Sequence, residues 1–150
     1  MKIITFGIIG AGRIGRIHAD NLLNHVEGAR LKAITDPFLD EDWAASRNIQ
    51  RTGKDHRIML EDPEIDAILI GSPSSEHAPQ MIECAKAGKH IFCEKPIALN
   101  PEIIRNVLAE VDKSGVKLQV GFNRRFDPNF SAVQRQVASG ALGDPHIIRI

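Results

Sequence analysis

Gly10, Gly12 and Gly15 fall in a G-x-G-x-x-G run, Gly10-Ala11-Gly12-Arg13-Ile14-Gly15, and Asp36 follows about twenty residues later. An apolar run, Ile3–Ile9, precedes the first glycine, and a second apolar run ends just before the acid. Strand, glycine turn, helix and spaced acid make up the fingerprint of a dinucleotide site. Gly10 permits the tight turn, Gly12 lets backbone approach a pyrophosphate, and Gly15 lets the helix pack close to the strand. The pyrophosphate is expected near Gly10, Gly12 and Ile14, on free N–H groups at the positive end of the helix dipole. Asp36 is spaced to accept hydrogen bonds from a ribose diol. Its charge would repel a 2′-phosphate, and Pro37 beside it offers no basic group, so NAD is expected rather than NADP. Arg13 could reach an adenosine phosphate, which keeps NADP use open; a turn or capping role is the alternative for Asp36.

Lys95 is the second centre. It follows the apolar run His90–Cys93 and Glu94, and Pro96 comes after it. A lysine at the end of a buried strand faces the ligand crevice, where desolvation disfavours the ammonium. Enzymes bring such lysines to a pKa of ~7–8 for proton work. A lysine that stays charged could instead stabilise an alkoxide as hydride leaves. The plain alternative is a solvated ammonium paired with Glu94. Glu94 itself is expected on the cofactor side, and the bond before Pro96 is a candidate cis peptide.

Apolar runs alternate with helical patterns, as in βαβ units around a parallel sheet. The strands drawn from the pattern are Ile3–Ile9, Leu31–Thr35, Ile49–Arg51, Ala67–Gly71, His90–Cys93 and Leu118–Gly121. Helices fall at Arg13–His25, Asp40–Arg47, His56–Glu61, Glu76–Ala87 and Pro101–Lys113. This is an α/β, doubly wound Rossmann arrangement, with ligand expected at the carboxyl ends of the strands. Ser72-Pro73, Glu94-Lys95-Pro96 and Phe122-Asn123-Arg124-Arg125 all follow strands at that end. Ser72 and Pro73 are expected to line the nicotinamide side. A helix near 129–139 and an apolar strand, His146–Ile150, come after the sixth strand. They suggest a dinucleotide domain over 1–122 and, over 123–150, the start of a second, α+β substrate domain whose remainder is absent. Such an unpaired strand would be an aggregation liability.

The strand–GAGRIG–helix unit, Thr35-Asp36-Pro37, Ser72-Pro73 with His77, and the run Ala87–Pro96 together resemble the glucose–fructose oxidoreductase / inositol dehydrogenase / MocA family. Gly121-Phe122-Asn123-Arg124-Arg125-Phe126-Asp127 looks most like its inositol 2-dehydrogenase branch. The resemblance implies hydride transfer between a nicotinamide and a sugar or cyclitol hydroxyl, with myo-inositol the leading substrate. It puts Lys95 beside the nicotinamide and the reacting oxygen, and His77 next to the cofactor. The proton-accepting histidine and its aspartate partner would lie beyond residue 150, so this chain alone is expected to be inactive. Asn123 and Arg124 are candidates for substrate hydroxyls, since an amide and a guanidinium fork suit polyols. Arg125 is as readily solvated or paired with Asp127. The family assembles through its second domain, implying a homo-oligomer for the complete protein and a monomer for this chain. Two other readings stay open: an aldose dehydrogenase of the same family, and a non-catalytic, redox-sensing NAD module.

The remaining sequence mostly excludes. The 150 residues carry a formal net charge of zero and no basic stripe, which argues against nucleic acid and anionic membrane partners. The chain opens on a strand pattern rather than a leader, and two cysteines, Cys84 and Cys93, fall in expected buried elements. A reducing, cytoplasmic setting follows. Gly53-Lys54-Asp55 and Gly88-Lys89-His90 lack the rest of a P-loop, and no nucleophile elbow is present. Cys84, His90 and Cys93 lack zinc spacing, with His90 expected along a buried strand, so no metal is expected.

Overall fold

The computed structural model describes residues 3–149. Six strands form one parallel sheet in the order β3-β2-β1-β4-β5-β6. They are β1 (Ile4–Ile9), β2 (Ala29–Thr35), β3 (Arg51–Gly53), β4 (Ala67–Ile70), β5 (His90–Glu94) and β6 (Leu118–Gly121). Helices α1 (Arg13–Asn24), α2 (Glu41–Ser46), α3 (Arg57–Leu60), α4 (Ser74–Lys86) and α5 (Pro101–Ser114) connect them. A 3-10 turn, Asn123–Phe126, and α6 (Pro128–Ala138) follow.

The inner strands β1, β2, β4 and β5 are largely apolar because both faces of a parallel sheet are covered. Ile8, Leu31, Ile34 and Leu69 pack with Ala19 and Leu22 of α1 and Ala44 of α2 on one face. Ile68, Ile70, Ile91 and Cys93 pack with Met81 and Cys84 of α4 and Val107 and Val111 of α5 on the other. Burial pushes the Cys84 and Cys93 thiols up to about 12, which makes them packing groups rather than nucleophiles. The helix ends are written locally. The Asn100 side chain accepts from the Glu102 N–H, Pro101 opens α5, and Gly115 closes it in the left-handed region at φ 68°. Asp127 caps α6 by accepting from the N–H groups of Asn129 and Phe130.

Parallel register brings the carboxyl ends of the strands level: Ile9 pairs with Thr35 and with Ile70, Thr35 with Gly53, and Ile70 with Cys93. The loops that leave these ends therefore meet along one edge.

Three expectations are corrected. β3 occupies Arg51–Gly53 rather than 49–51, because it pairs only with β2 and its register is set by Ala33 opposite Arg51. Residues 145–149 form no strand; Ile147 and Ile148 stand in solvent with no sheet edge beside them, and Ile150 lies outside the described residues. His90 is exposed, and the buried residue is its neighbour Lys89, whose ammonium donates to the carbonyls of Asp62 (2.6 Å) and Ile65 (2.9 Å). Chain entering from Gly88, in the left-handed region, turns that lysine under the loop before β4.

Candidate cofactor site

The glycine turn has the strict geometry its residues allow. Gly10 has φ +96°, and a Cβ there would lie 2.7 Å from the backbone of Gly71 and Ser72. A Cβ on Gly15 would collide with the Gly10 carbonyl, so helix α1 can cross this close to β1 only with glycine at that position. Gly12 differs: a Cβ there meets nothing within 4 Å, and the residue is exposed. The first turn of α1 has no side-chain cap and no acidic residue. Its N–H groups are left for an anion, with backbone open to approach at Gly12.

Asp36 is tied to that turn. Its Oδ2 accepts from the Ala11 N–H at 2.7 Å and its Oδ1 from the Phe38 N–H at 2.8 Å. The turn role and the ribose role are thus compatible, because a carboxylate has lone pairs left after two bonds. Arg16 braces the same turn, donating from Nε to the Ala11 carbonyl at 3.0 Å and reaching Asp40 at 3.2 Å. Its guanidinium lies 4.6 Å from the centre of the Trp43 ring.

A cleft of about 790 Å³ lies along this edge, lined by Gly10, Gly12, Arg13, Ile14, Asp36, Ser72 and Pro73. That volume is within the usual range for a small-molecule site. The cleft brings together seven residues that the sequence nominated from separate segments. Its walls also include Phe38, Lys54, His56, Glu76 and Gln80, which sequence reasoning did not nominate. Lys54 follows the true end of β3, so the rule that ligands sit at strand ends would have found it had β3 been placed correctly. Gln80 accepts from the Ser72 hydroxyl at 2.6 Å and holds that loop against α4.

The other nominated residues lie around the cleft rather than in it. His77 is buried, with Nδ1 2.7 Å from the Pro96 carbonyl and Nε2 2.9 Å from the Ser72 carbonyl. It fastens the Ser72–Pro73 loop to the turn after β5 instead of presenting a ring to the cleft. Both partners are acceptors only, so a neutral ring satisfies one of them and a ring with two N–H groups satisfies both. Lys95 is exposed, and no partner for its ammonium is present among the described residues. The burial expected at this strand end is not supplied: β5 ends at Glu94, and Lys95 stands one residue past it, followed by a cis bond to Pro96. Nor is Lys95 paired with Glu94, whose Oε1 lies 2.8 Å from His18 Nε2 in a separate depression over β5 and β6. Asn123 lines that second depression. Arg124, rather than Arg125, pairs with Asp127 at 3.3 Å and lies over the Phe130 ring. Among the described residues no group of three or more His, Cys, Asp or Glu side chains could hold a metal, and no helix is long and apolar enough to cross a membrane.

Residues 4–122 match the model of an oxidoreductase family with an NAD-binding Rossmann fold, GFO/IDH/MocA. The chain is 46% identical over 151 residues to the uncharacterized oxidoreductase YrbE of Bacillus subtilis, covering 99% of this chain and 44% of that one. It is 42% identical over 149 residues to the myo-inositol 2-dehydrogenase of Thermotoga maritima, covering 98% and 44%. The scyllo-inositol dehydrogenase of Lactobacillus casei, solved with NAD(H) and scyllo-inositol, superposes with a TM-score of 0.89 at 37% identity, over 95% of this chain and 43% of that one. The chain thus spans less than half the length of these relatives. A glycine turn open at Gly12, an uncapped helix above it and an acid beside it fit NAD. The chain belongs to the GFO/IDH/MocA oxidoreductase family, as its NAD-binding Rossmann fold.

Proposed function

We propose that this chain is the cofactor-holding part of a dehydrogenase that moves a hydride from a secondary alcohol of a cyclitol or sugar to NAD, with myo-inositol the first substrate to try. The carrying observation is that the cleft and Lys95 sit at the carboxyl ends of the neighbouring strands β4 and β5, joined through His77. The inositol dehydrogenases among the relatives support the substrate class.

Bound NAD supplies the hydride acceptor. Gly12, Ile14 and the first turn of α1 would hold its phosphates, with Arg13 above them and Asp36 on the adenosine ribose. Ser72 and Pro73 would face the nicotinamide end. The unpaired Lys95 ammonium would hold the substrate oxygen and stabilise the charge that builds there as hydride leaves. Glu94 and His77 would act from behind, by placing Lys95. Asn123 and Arg124 would meet substrate only once a second domain, starting in 123–150, is folded over them. That domain would supply the proton acceptor and the oligomer contacts. Two buried, unpaired thiols suit a cytoplasmic home.

The test is NADH formation from NAD⁺ and myo-inositol by the full-length gene product, wild type against Lys95→Ala. Loss of about 100-fold or more in kcat is expected. Unchanged turnover in the variant would remove Lys95 from the chemistry. A wild type that binds NAD⁺ but oxidises no polyol would leave a cofactor-binding module instead.

A further inference from the structure

Helix α1 carries a polar group, His18, that lines the depression over β5 and β6 rather than the cofactor cleft. His18 lies over β5, its Nε2 2.8 Å from Glu94 Oε1, with both side chains largely buried at 19% and 14% exposed. Its ring meets Phe92 edge-on at 5.3 Å between centres. The other oxygen of Glu94, Oε2, accepts from the Lys95 N–H at 3.3 Å. Gly121 leaves the room for this carboxylate: a Cβ there would come within 3.1 Å of Glu94 Cδ. A carboxylate held by a histidine, a backbone N–H and a facing glycine is fixed in place. It fixes in turn the peptide from which Lys95 departs. On the other side of Lys95 the Pro96 carbonyl is held by His77 of α4, 2.7 Å from Nδ1.

An apolar side chain at position 18 would cover Phe92 equally well. It would leave a largely buried carboxylate without its partner, which is costly. The pair therefore serves Glu94, and Glu94 bears on Lys95. We propose that His18 is a positioning residue: through Glu94 it sets the backbone at Lys95 and links the lysine to the helix whose first turn faces the cofactor phosphates. The catalytic consequence rests on the dehydrogenase reading above, whereas the structural coupling does not.

The test has two arms, both using His18→Met, which fills the space over Phe92 without an N–H, and His18→Gln, which restores a donor. In ¹H–¹⁵N spectra of the 150-residue chain, His18→Met should move the Lys95 and Gly121 amide signals, and His18→Gln should return them toward wild type. In the full-length enzyme His18→Met should lower kcat by about tenfold or more, with KM for NAD⁺ within about twofold, and His18→Gln should recover most of the loss. Amide signals at Lys95 and Gly121 that do not respond to His18→Met overturn the coupling. A kcat that falls only in step with thermal stability and is not recovered by His18→Gln overturns the catalytic consequence. If the wild-type enzyme oxidises no polyol, the dehydrogenase reading fails on that control and the amide arm alone decides His18.

Discussion

Replacing Asp36 by alanine separates the two duties of its carboxylate. In the free protein it accepts from the Ala11 and Phe38 N–H groups at 2.7 and 2.8 Å. The Phe38 bond closes an exposed local turn and contributes little. The Ala11 bond is partly buried, and a hydrogen bond to a charged acceptor there is worth about 1.5–3 kcal/mol. For a domain of this size each kcal/mol moves Tm by about 2–4 °C, so Asp36→Ala should melt roughly 3–12 °C lower. A looser glycine turn would weaken NAD and NADP alike, so affinity for NAD alone proves nothing about the ribose. The ratio of the two affinities does. A carboxylate about 4–8 Å from a phosphate repels it by about 2–4 kcal/mol per unit charge at an effective dielectric of about 20. Its removal should improve NADP⁺ relative to NAD⁺ by at least about tenfold, since 1.4 kcal/mol is one decade. Isothermal titration of both cofactors into wild type and variant reads this directly. A lower Tm with an unchanged NADP⁺/NAD⁺ ratio would mean that Asp36 only braces the turn, and the ribose assignment would be refuted.

Two further outcomes follow from the structure. Gly15→Ala forces a Cβ onto the Gly10 carbonyl and should cost about 1–3 kcal/mol in a urea melt, whereas Gly12→Ala points its Cβ into open space. The Gly12 variant should therefore melt like wild type yet bind NAD⁺ at least about tenfold more weakly, a methyl then standing in the phosphate's approach; equal behaviour of the two variants in both assays would contradict the cradle. Asp62 is buried under Lys32 and Arg51, at 2.7 and 3.3 Å, and the Lys32 hydrogen bond leads the causes that hold its carboxyl below the ordinary range. A depressed folded pKa stabilises above the unfolded value of ~3.9 and is lost as pH falls through the folded one. The stability gap between wild type and Asp62→Asn should be constant from about pH 7 to 5 and shrink below about pH 4; a gap that widens in acid would reverse the sign of the argument.

The glycine turn and Asp36 were legible because their causes are local: a steric demand and a charge at a set spacing. The doubly covered inner strands were legible for a related reason, since their apolar runs between turn residues leave one element type. β3 was misplaced because three residues paired on one side carry too little pattern to fix a register, and Lys54 was lost with it. The exchange between Lys89 and His90 had no local cause at all. Lys89 is buried because two carbonyls more than twenty residues away converge on its ammonium. Glu94, His77 and Lys95 were each nominated singly, but the contacts between segments were not legible: Glu94 meets His18 and Gly121, and His77 meets the carbonyls of Ser72 and Pro96.

The sheet order also sets a timetable for synthesis. β1 lies between β2 and β4, so its second edge pairs only with Ala67–Ile70. The first three strands can associate once residue 53 has left the ribosome, yet the apolar edge of Phe6–Ile9 then stays bare. At about 5–20 residues per second, that interval lasts roughly one to three seconds before β4 arrives. A nascent chain of this protein would thus be most vulnerable to chaperone capture or misassociation while residues 54–70 are being made, just before Gly71–Gln80 complete the cofactor cleft.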